Sequence, residues 1–252
     1  MKILTSILII YLSVAAYLFF LQRNFIYFPT PEITHPYPEI SYSLDTAVVK
    51  VVVLNKENKK AILYFGGNGE AVERTALEFG QRYSNQAIYL VKYRGYGGST
   101  GKPTEEKLYS DALNVFDDLS KQHTEISVIG RSLGSGIATY LASKRNIQKL
   151  VLVTPFDSAE SVAQKSFPIF PMFILLKDKY DSVSRVGEIE AKTLLLVAEN
   201  DNIIKKHHSI KLAKSFHLTK PKMVVIANTG HNTISSNPEY IEILSQFLNA
   251  DF

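Results

Sequence analysis

Apolar positions along the chain fall into three patterns. The first is an unbroken run at residues 3–21, ILTSILIIYLSVAAYLFFL, which carries no charge and only Thr5, Ser6 and Ser13 as clearly polar side chains. At about 1.5 Å per residue a helix of this run is roughly 28 Å long, close to the hydrocarbon thickness of a bilayer. Lys2 and Arg23 bracket it, and Tyr11, Tyr17 and Tyr27 suit the membrane interfaces. A cleaved signal peptide would have a shorter apolar core followed by small residues in an A-x-A site. Here Phe19, Phe20 and Leu21 run straight into Gln22 and Arg23, and Ala15-Ala16 lies inside the run. Residues 1–23 are therefore read as an uncleaved single-pass anchor. With one basic residue at each end, the positive-inside rule discriminates weakly. The expectation is a cytoplasmic N-terminus, with the rest of the chain on the non-cytosolic side.

The second pattern is a proline-punctuated stretch. Pro29, Pro31, Pro36 and Pro38 make residues 24–46 a stiff connector, because proline fixes φ and donates nothing to a ladder. The third pattern fills residues 47–252, where short apolar runs alternate with helical periods. AVVKVVVL (47–54), AILYF (61–65), AIYLVKY (87–93), EISVIG (125–130), KLVLV (149–153), TLLLVA (193–198) and MVVIA (223–227) predict strands. Helices are predicted at 70–83, 104–121, 133–145, 206–217 and 238–250. Such alternation predicts an α/β domain with a mostly parallel sheet covered by helices on both faces. Residues 156–190 break the rhythm with SFPIFPMFILL at 166–176, too short to span a bilayer. That region is either a helix packed on the core or a small cap whose apolar face lines an acyl pocket or touches lipid.

Composition removes several chemistries. The chain has no cysteine, which excludes disulfides, thiolate metal sites and a cysteine nucleophile. The formal charge of +4 is spread over lysines without the clustering or motif of a nucleic-acid interface. No metal or organic cofactor is implied, and no nucleic-acid partner is expected.

Candidate chemistry centres on Gly130-Arg131-Ser132-Leu133-Gly134, a G-x-S-x-G sequence between a predicted strand and a predicted helix. On that turn the serine Oγ is exposed, and the helix N-terminus points free N–H groups and a positive dipole end at the place where negative charge develops. A serine needs a base. His35 lies in the proline stretch, His123 precedes a strand, and His207, His208 and His217 belong to a polar helix. His231 alone follows a strand, in the loop Asn228-Thr229-Gly230-His231. Loops after strand C-termini form the active edge of such sheets. The orienting acid is assigned to Asp201, which follows TLLLVA and gives the order Ser, Asp, His. Asp157, after KLVLV, is the second candidate and Glu199 the third. For the oxyanion, the candidate donors are Leu133 N–H and the glycine loop after AILYF, where Gly67 and Asn68 stand, with Asn68 N–H preferred. Tyr93 and Arg94, after another strand, either bind an anionic substrate group or brace the turn Gly95–Gly98, and bracing is preferred.

On these residues the chain resembles the α/β-hydrolase superfamily, and more narrowly its membrane-anchored serine hydrolase branch. The resemblance is carried by QRNFIYFPTP (22–31), YFGGNGE (64–70), VKYRGYGGSTGKPTEE (91–106), GRSLGSG (130–136), AENDNII (198–204) and GHN (230–232). It implies Ser132 as nucleophile, Asp201 as acid, His231 as base, and Asn68 and Leu133 as oxyanion donors. Gly66 stands where relatives often carry histidine, which removes a side chain from the pocket wall but leaves the main-chain donors. The expected activity is hydrolysis of ester or thioester bonds in acylated, lipid-like substrates. The alternatives are a serine peptidase or amidase on the same triad and a non-catalytic membrane-tethered binding protein.

Overall fold

An eight-stranded sheet organises the chain, with strand order β1-β2-β4-β3-β5-β6-β7-β8. The computed structural model describes residues 2–250. The strands are β1 (Glu39–Leu44), β2 (Ala47–Leu54), β3 (Lys60–Phe65), β4 (Ala87–Val91), β5 (Glu125–Arg131), β6 (Lys149–Val153), β7 (Lys192–Ala198) and β8 (Lys222–Ile226). The helices are α1 (Lys2–Ile26), α2 (Ala76–Arg82), α3 (Glu105–Leu119), α4 (Leu133–Lys144), α5 (Ala159–Ser166), α6 (Met172–Leu175), α7 (Lys206–Lys214) and α8 (Pro238–Asn249). β2 runs antiparallel to both β1 and β4, and every other pairing is parallel.

Alternate residues of the central strands feed two separate cores. In β3, Leu63 and Phe65 join α3, α4 and the end of α7 on one face, while Ile62 and Tyr64 join α2 and α8 on the other. Strands buried on both faces read as continuous apolar runs, which is why their sequences showed no alternation. Helix α3 begins at Thr104, whose hydroxyl accepts the Lys107 N–H, and Glu105 and Glu106 add negative charge to the first turn. Its buried stripe, Leu108, Ala112, Val115 and Leu119, follows the helical period. The chain reverses direction across the sheet at β3, which has β4 on one side and β5 on the other. Loops after β3 and β5 therefore emerge side by side, at the switch point where such sheets place ligands.

Three elements differ from the sequence reading. The proline stretch carries β1, an edge strand whose Ile40, Tyr42 and Leu44 pack on the core. Pro36 and Pro38 precede it, and an edge tolerates their missing donors. The helix expected at 70–83 is a 3-10 turn (Val72–Thr75) followed by α2, because Glu70 is engaged in pinning the preceding glycine loop. α1 continues past Arg23 to Ile26 and docks on the domain. Residues 156–190 form α5, α6 and connecting turns above the C-terminal edge of the sheet, and are called the cap below.

Candidate active site

β5 hands over to α4 at Ser132, where φ is 49° and ψ −114°. A non-glycine residue held there stores strain of order 1–3 kcal/mol, so the surroundings must fix it. They do so by close approach. A Cβ on Gly130 would strike the Gly134 carbonyl and Ala138, and one on Gly134 would strike the Phe65 carbonyl of neighbouring β3. Both glycines of G-x-S-x-G are thus required by packing. Ser132 N–H donates to Val153 on β6 at 2.9 Å, tying the turn to the next strand.

Ser132 Oγ lies 2.9 Å from His231 Nε2, and His231 Nδ1 lies 2.7 Å from Asp201 Oδ2. Residues distant in sequence meet because their loops leave β5, β7 and β8 at the same edge. The other Asp201 oxygen accepts the N–H groups of Ile203 and Ile204 at 2.8 and 2.7 Å, which fixes the carboxylate plane. Asp201 and His231 are buried. Asp157, the second acid candidate, faces His208 instead, at 2.7 Å from its Nδ1. Glu199 accepts the Asn228 N–H at 2.9 Å and so shapes the loop leading to His231.

The glycine loop after β3 sits against the Ser132 turn, where a Cβ on Gly67 would be 3.8 Å from Ser132 Cβ. Gly67 N–H donates to Glu70 Oε2 at 2.7 Å and is therefore occupied. Among the described residues, the N–H groups of Asn68 and Leu133 have no protein acceptor. Asn68 is held by its side chain: Oδ1 accepts from Phe28 N–H at 2.9 Å and Tyr96 Oη at 2.8 Å, and Nδ2 donates to the Ile26 carbonyl at 2.7 Å.

Glu70 and Arg131 form a pair beside the candidate site that sequence reasoning missed. Glu70 accepts from Tyr64 Oη at 2.6 Å, from Gly67 N–H, and from Arg131 Nη1 at 2.9 Å. Arg131 Nη2 reaches the His231 carbonyl at 3.4 Å. One ion pair thus joins the glycine loop, the residue before Ser132 and the His231 loop. Desolvation works against the Arg131 charge, but Glu70 together with Tyr64 and Tyr240 outweighs it and the guanidinium pKa is raised. The pair was invisible in sequence because its members stand 61 positions apart. Tyr93 and Arg94 are both buried. Tyr93 Oη donates to the Gly66 carbonyl at 2.7 Å, and Arg94 grips Asp111 with two bonds of 2.6 Å. Both side chains are spent on bracing the loops beside the site.

A cavity of about 290 Å³ opens on Ser132, Leu133 and Asn68. Its remaining walls are almost wholly apolar, from α1 (Leu18, Phe25, Ile26) and from the cap (Val162, Phe167, Met172). Gln22 of α1 also lines it, but its amide is spent on the Phe19 and Leu175 carbonyls and the Lys177 N–H. No group of three or more His, Asp or Glu side chains suited to hold a metal ion occurs among the described residues.

Comparisons with known proteins fit this geometry. Residues 50–238 match the family described as Serine hydrolase (FSH1). An uncharacterized protein of Mycobacterium tuberculosis is 32% identical over 88% of this chain and 83% of its own length. An uncharacterized membrane protein of Saccharomyces cerevisiae is 31% identical over 66% of this chain and 62% of its own. Among solved structures, an esterase of Pyrococcus furiosus superposes with a TM-score of 0.70 at 16% identity, over 88% of this chain and 98% of that one. The fold is that of the α/β-hydrolases.

Proposed function

We propose, for a chain that belongs to the serine hydrolase (FSH1) family and has the α/β-hydrolase fold, that it hydrolyses ester or thioester bonds of long acyl groups through an acyl-enzyme at Ser132. The observation that carries the reading is the continuous line Ser132 Oγ, His231, Asp201 at 2.9 and 2.7 Å, at the mouth of an apolar cavity. In this reading His231 Nε2 takes the Ser132 proton as Oγ bonds to the acyl carbon. The carbonyl oxygen becomes an oxyanion held by the Asn68 and Leu133 N–H groups. Asp201 keeps Nδ1 protonated and steadies the imidazolium. Collapse of the adduct breaks the bond to the leaving alcohol or thiol, which departs with the proton from His231. Water, deprotonated by the same histidine, then attacks the acyl-enzyme and restores Ser132.

The apolar walls favour an acyl chain over a peptide, since polar peptide groups would lose hydration there without partners. α1 is long and apolar enough to cross a membrane, and we place the protein at a membrane through it. The test is turnover by the full chain of p-nitrophenyl esters and acyl thioesters of increasing chain length, beside Ser132→Ala. Preference for long acyl chains, lost in the variant, supports the reading. Comparable turnover by Ser132→Ala would sink it. Cleavage of anilides as fast as esters would favour the amidase alternative.

A further inference from the structure

α1 and the cap are packed as one unit. The side of α1 carrying Tyr11, Ala15, Leu18, Gln22 and Ile26 is turned toward the protein, and its other sides are exposed. Tyr11 stacks on Phe170 with ring centroids 4.9 Å apart and donates to the Ile169 carbonyl at 3.0 Å. One end of this seam is locked by Gln22, which accepts the Lys177 N–H at 2.6 Å and donates to the Leu175 carbonyl at 2.9 Å. Next to it Arg23 holds Asp178 through bonds of 3.0 and 3.2 Å.

Beside the seam the cap ends in an apolar apex. Phe167, Ile169, Phe173 and Ile174 are between 41% and 71% exposed. Lys165 and Lys177 stand exposed at its base, and Lys177 Nζ lies 4.0 Å from the centre of the Phe19 ring. Phe25 and Phe167 line the cavity that leads to Ser132 and are themselves exposed, so they form its rim.

We propose that the cap apex inserts into the acyl region of the bilayer beside α1, and that acyl chains pass from that leaflet between Phe25 and Phe167 to Ser132. The second half rests on the serine hydrolase reading, and the first does not. Continuity identifies the occupant as lipid. The exposed apex adjoins the exposed apolar sides of a helix suited to hydrocarbon, and the lysines at its base suit anionic headgroups.

The seam also limits the tilt of α1. Tyr11 and Arg23 are twelve residues apart, about 18 Å along the helix. An upright α1 with Arg23 at the headgroups would carry Ile169 past the middle of a hydrocarbon core about 30 Å thick. The irregular main chain around Pro168 and Pro171 has no place there. α1 therefore lies strongly oblique, with the apex roughly 5–10 Å into the leaflet, and at that tilt its 25 residues anchor the protein in one leaflet instead of crossing the bilayer as the sequence reading expects.

The natural chain lacks cysteine, so single labelling sites are available on the full protein. Ile169→Cys and Ile174→Cys, carrying a nitrobenzoxadiazole label in vesicles of phosphatidylcholine and phosphatidylserine, are expected to be quenched more by lipids spin-labelled near the headgroup than near the chain end. Leu218→Cys, on the opposite edge of the sheet, is expected to be unquenched. Labels at 169 and 174 as water-exposed as that at 218 would overturn the insertion. Neither Ile169 nor Ile174 lines the cavity. The double variant Ile169→Glu/Ile174→Glu is thus expected to lose about tenfold or more turnover on long-chain esters in vesicles, because charge is costly at that depth. It should hydrolyse a water-soluble short ester within twofold of the wild type. Unchanged vesicle turnover would overturn the entry route. A wild type that turns over neither ester contradicts the hydrolase reading, while the labels still decide the insertion.

Discussion

His231 and His208 each hold an aspartate at 2.7 Å through Nδ1, at the ends of adjacent strands β7 and β6. All four side chains are buried. The pairs differ at the far side of the imidazole and in how the carboxylate is completed. His231 Nε2 meets Ser132 Oγ, and Asp201 takes its remaining bonds from two main-chain N–H groups. Among the described residues no hydrogen bond joins His208 Nε2 to a serine, and Asp157 receives Lys211 Nζ at 2.8 Å and the Ser158 N–H at 2.9 Å. The Asp157 carbonyl also accepts from Ser182 and Val183, so this pair fastens both ends of the cap to α7. A short, buried His–Asp contact therefore does not by itself mark a proton relay, and in the proposed mechanism the His231 pair is set apart by the serine at its second imidazole nitrogen.

The sharpest way to break the comparison is to neutralise each aspartate. Asp201→Asn is expected to lower kcat for ester hydrolysis by roughly 10³–10⁴-fold, since the histidine loses its orienting acceptor. Its thermal midpoint should move little. Asp157→Asn is expected to do the reverse. It should leave kcat within about threefold but cost about 1–3 kcal/mol by weakening the hydrogen bonds that the buried carboxylate accepts from His208 Nδ1 and the Ser158 N–H. For a domain of this size that lowers Tm by roughly 5 °C in calorimetry. An Asp157→Asn enzyme with wild-type stability and 10³-fold lower kcat would reverse the assignment.

The same pair has a pH signature. Burial opposes the Asp157 charge, but hydrogen bonds from His208, Lys211 and Ser158 N–H outweigh it and hold the carboxyl well below its ordinary value. A group with a depressed folded pKa contributes stability above its unfolded value, near 3.9, and loses it as pH falls through the folded value. The Tm gap between wild type and Asp157→Asn should therefore be constant from pH 7 to about 5 and shrink only below about pH 4. A gap that closes between pH 7 and 6 would contradict this.

Smaller effects sharpen the picture around Ser132. Glu70→Gln keeps the size of the side chain but removes the charge paired with Arg131, and is expected to lower kcat about 10–100-fold by loosening the oxyanion loop. KM for a short ester should change less. Tyr96→Phe removes one bond to Asn68 and is expected to cost about 1 kcal/mol, a few-fold in kcat.

Much of this organisation was legible in the chain. The central strands announced themselves because burial on both faces demands unbroken apolar runs such as KLVLV. Ser132, Asp201 and His231 could be picked out because each follows a strand, and a parallel sheet gathers such loops at one edge. The rest depended on contacts that leave no local mark. Glu70 and Arg131, or Asp157 and His208, are ordinary polar residues until the fold brings them together. β1 was hidden because an edge strand needs only a partial apolar alternation, here Ile40, Tyr42 and Leu44, in a proline-rich setting. The docking of α1 was hidden for another reason: an apolar helix that walls a cavity and one that only anchors have the same composition.

The central claim is that Ser132 is the activated nucleophile of this chain, and labelling with a fluorophosphonate tests it most directly. The account predicts one adduct per chain by intact mass, mapped to the peptide containing Ser132. That adduct should be absent in Ser132→Ala and greatly slowed in His231→Ala. A folded wild-type protein that takes no adduct, or takes it at another serine, would contradict the account.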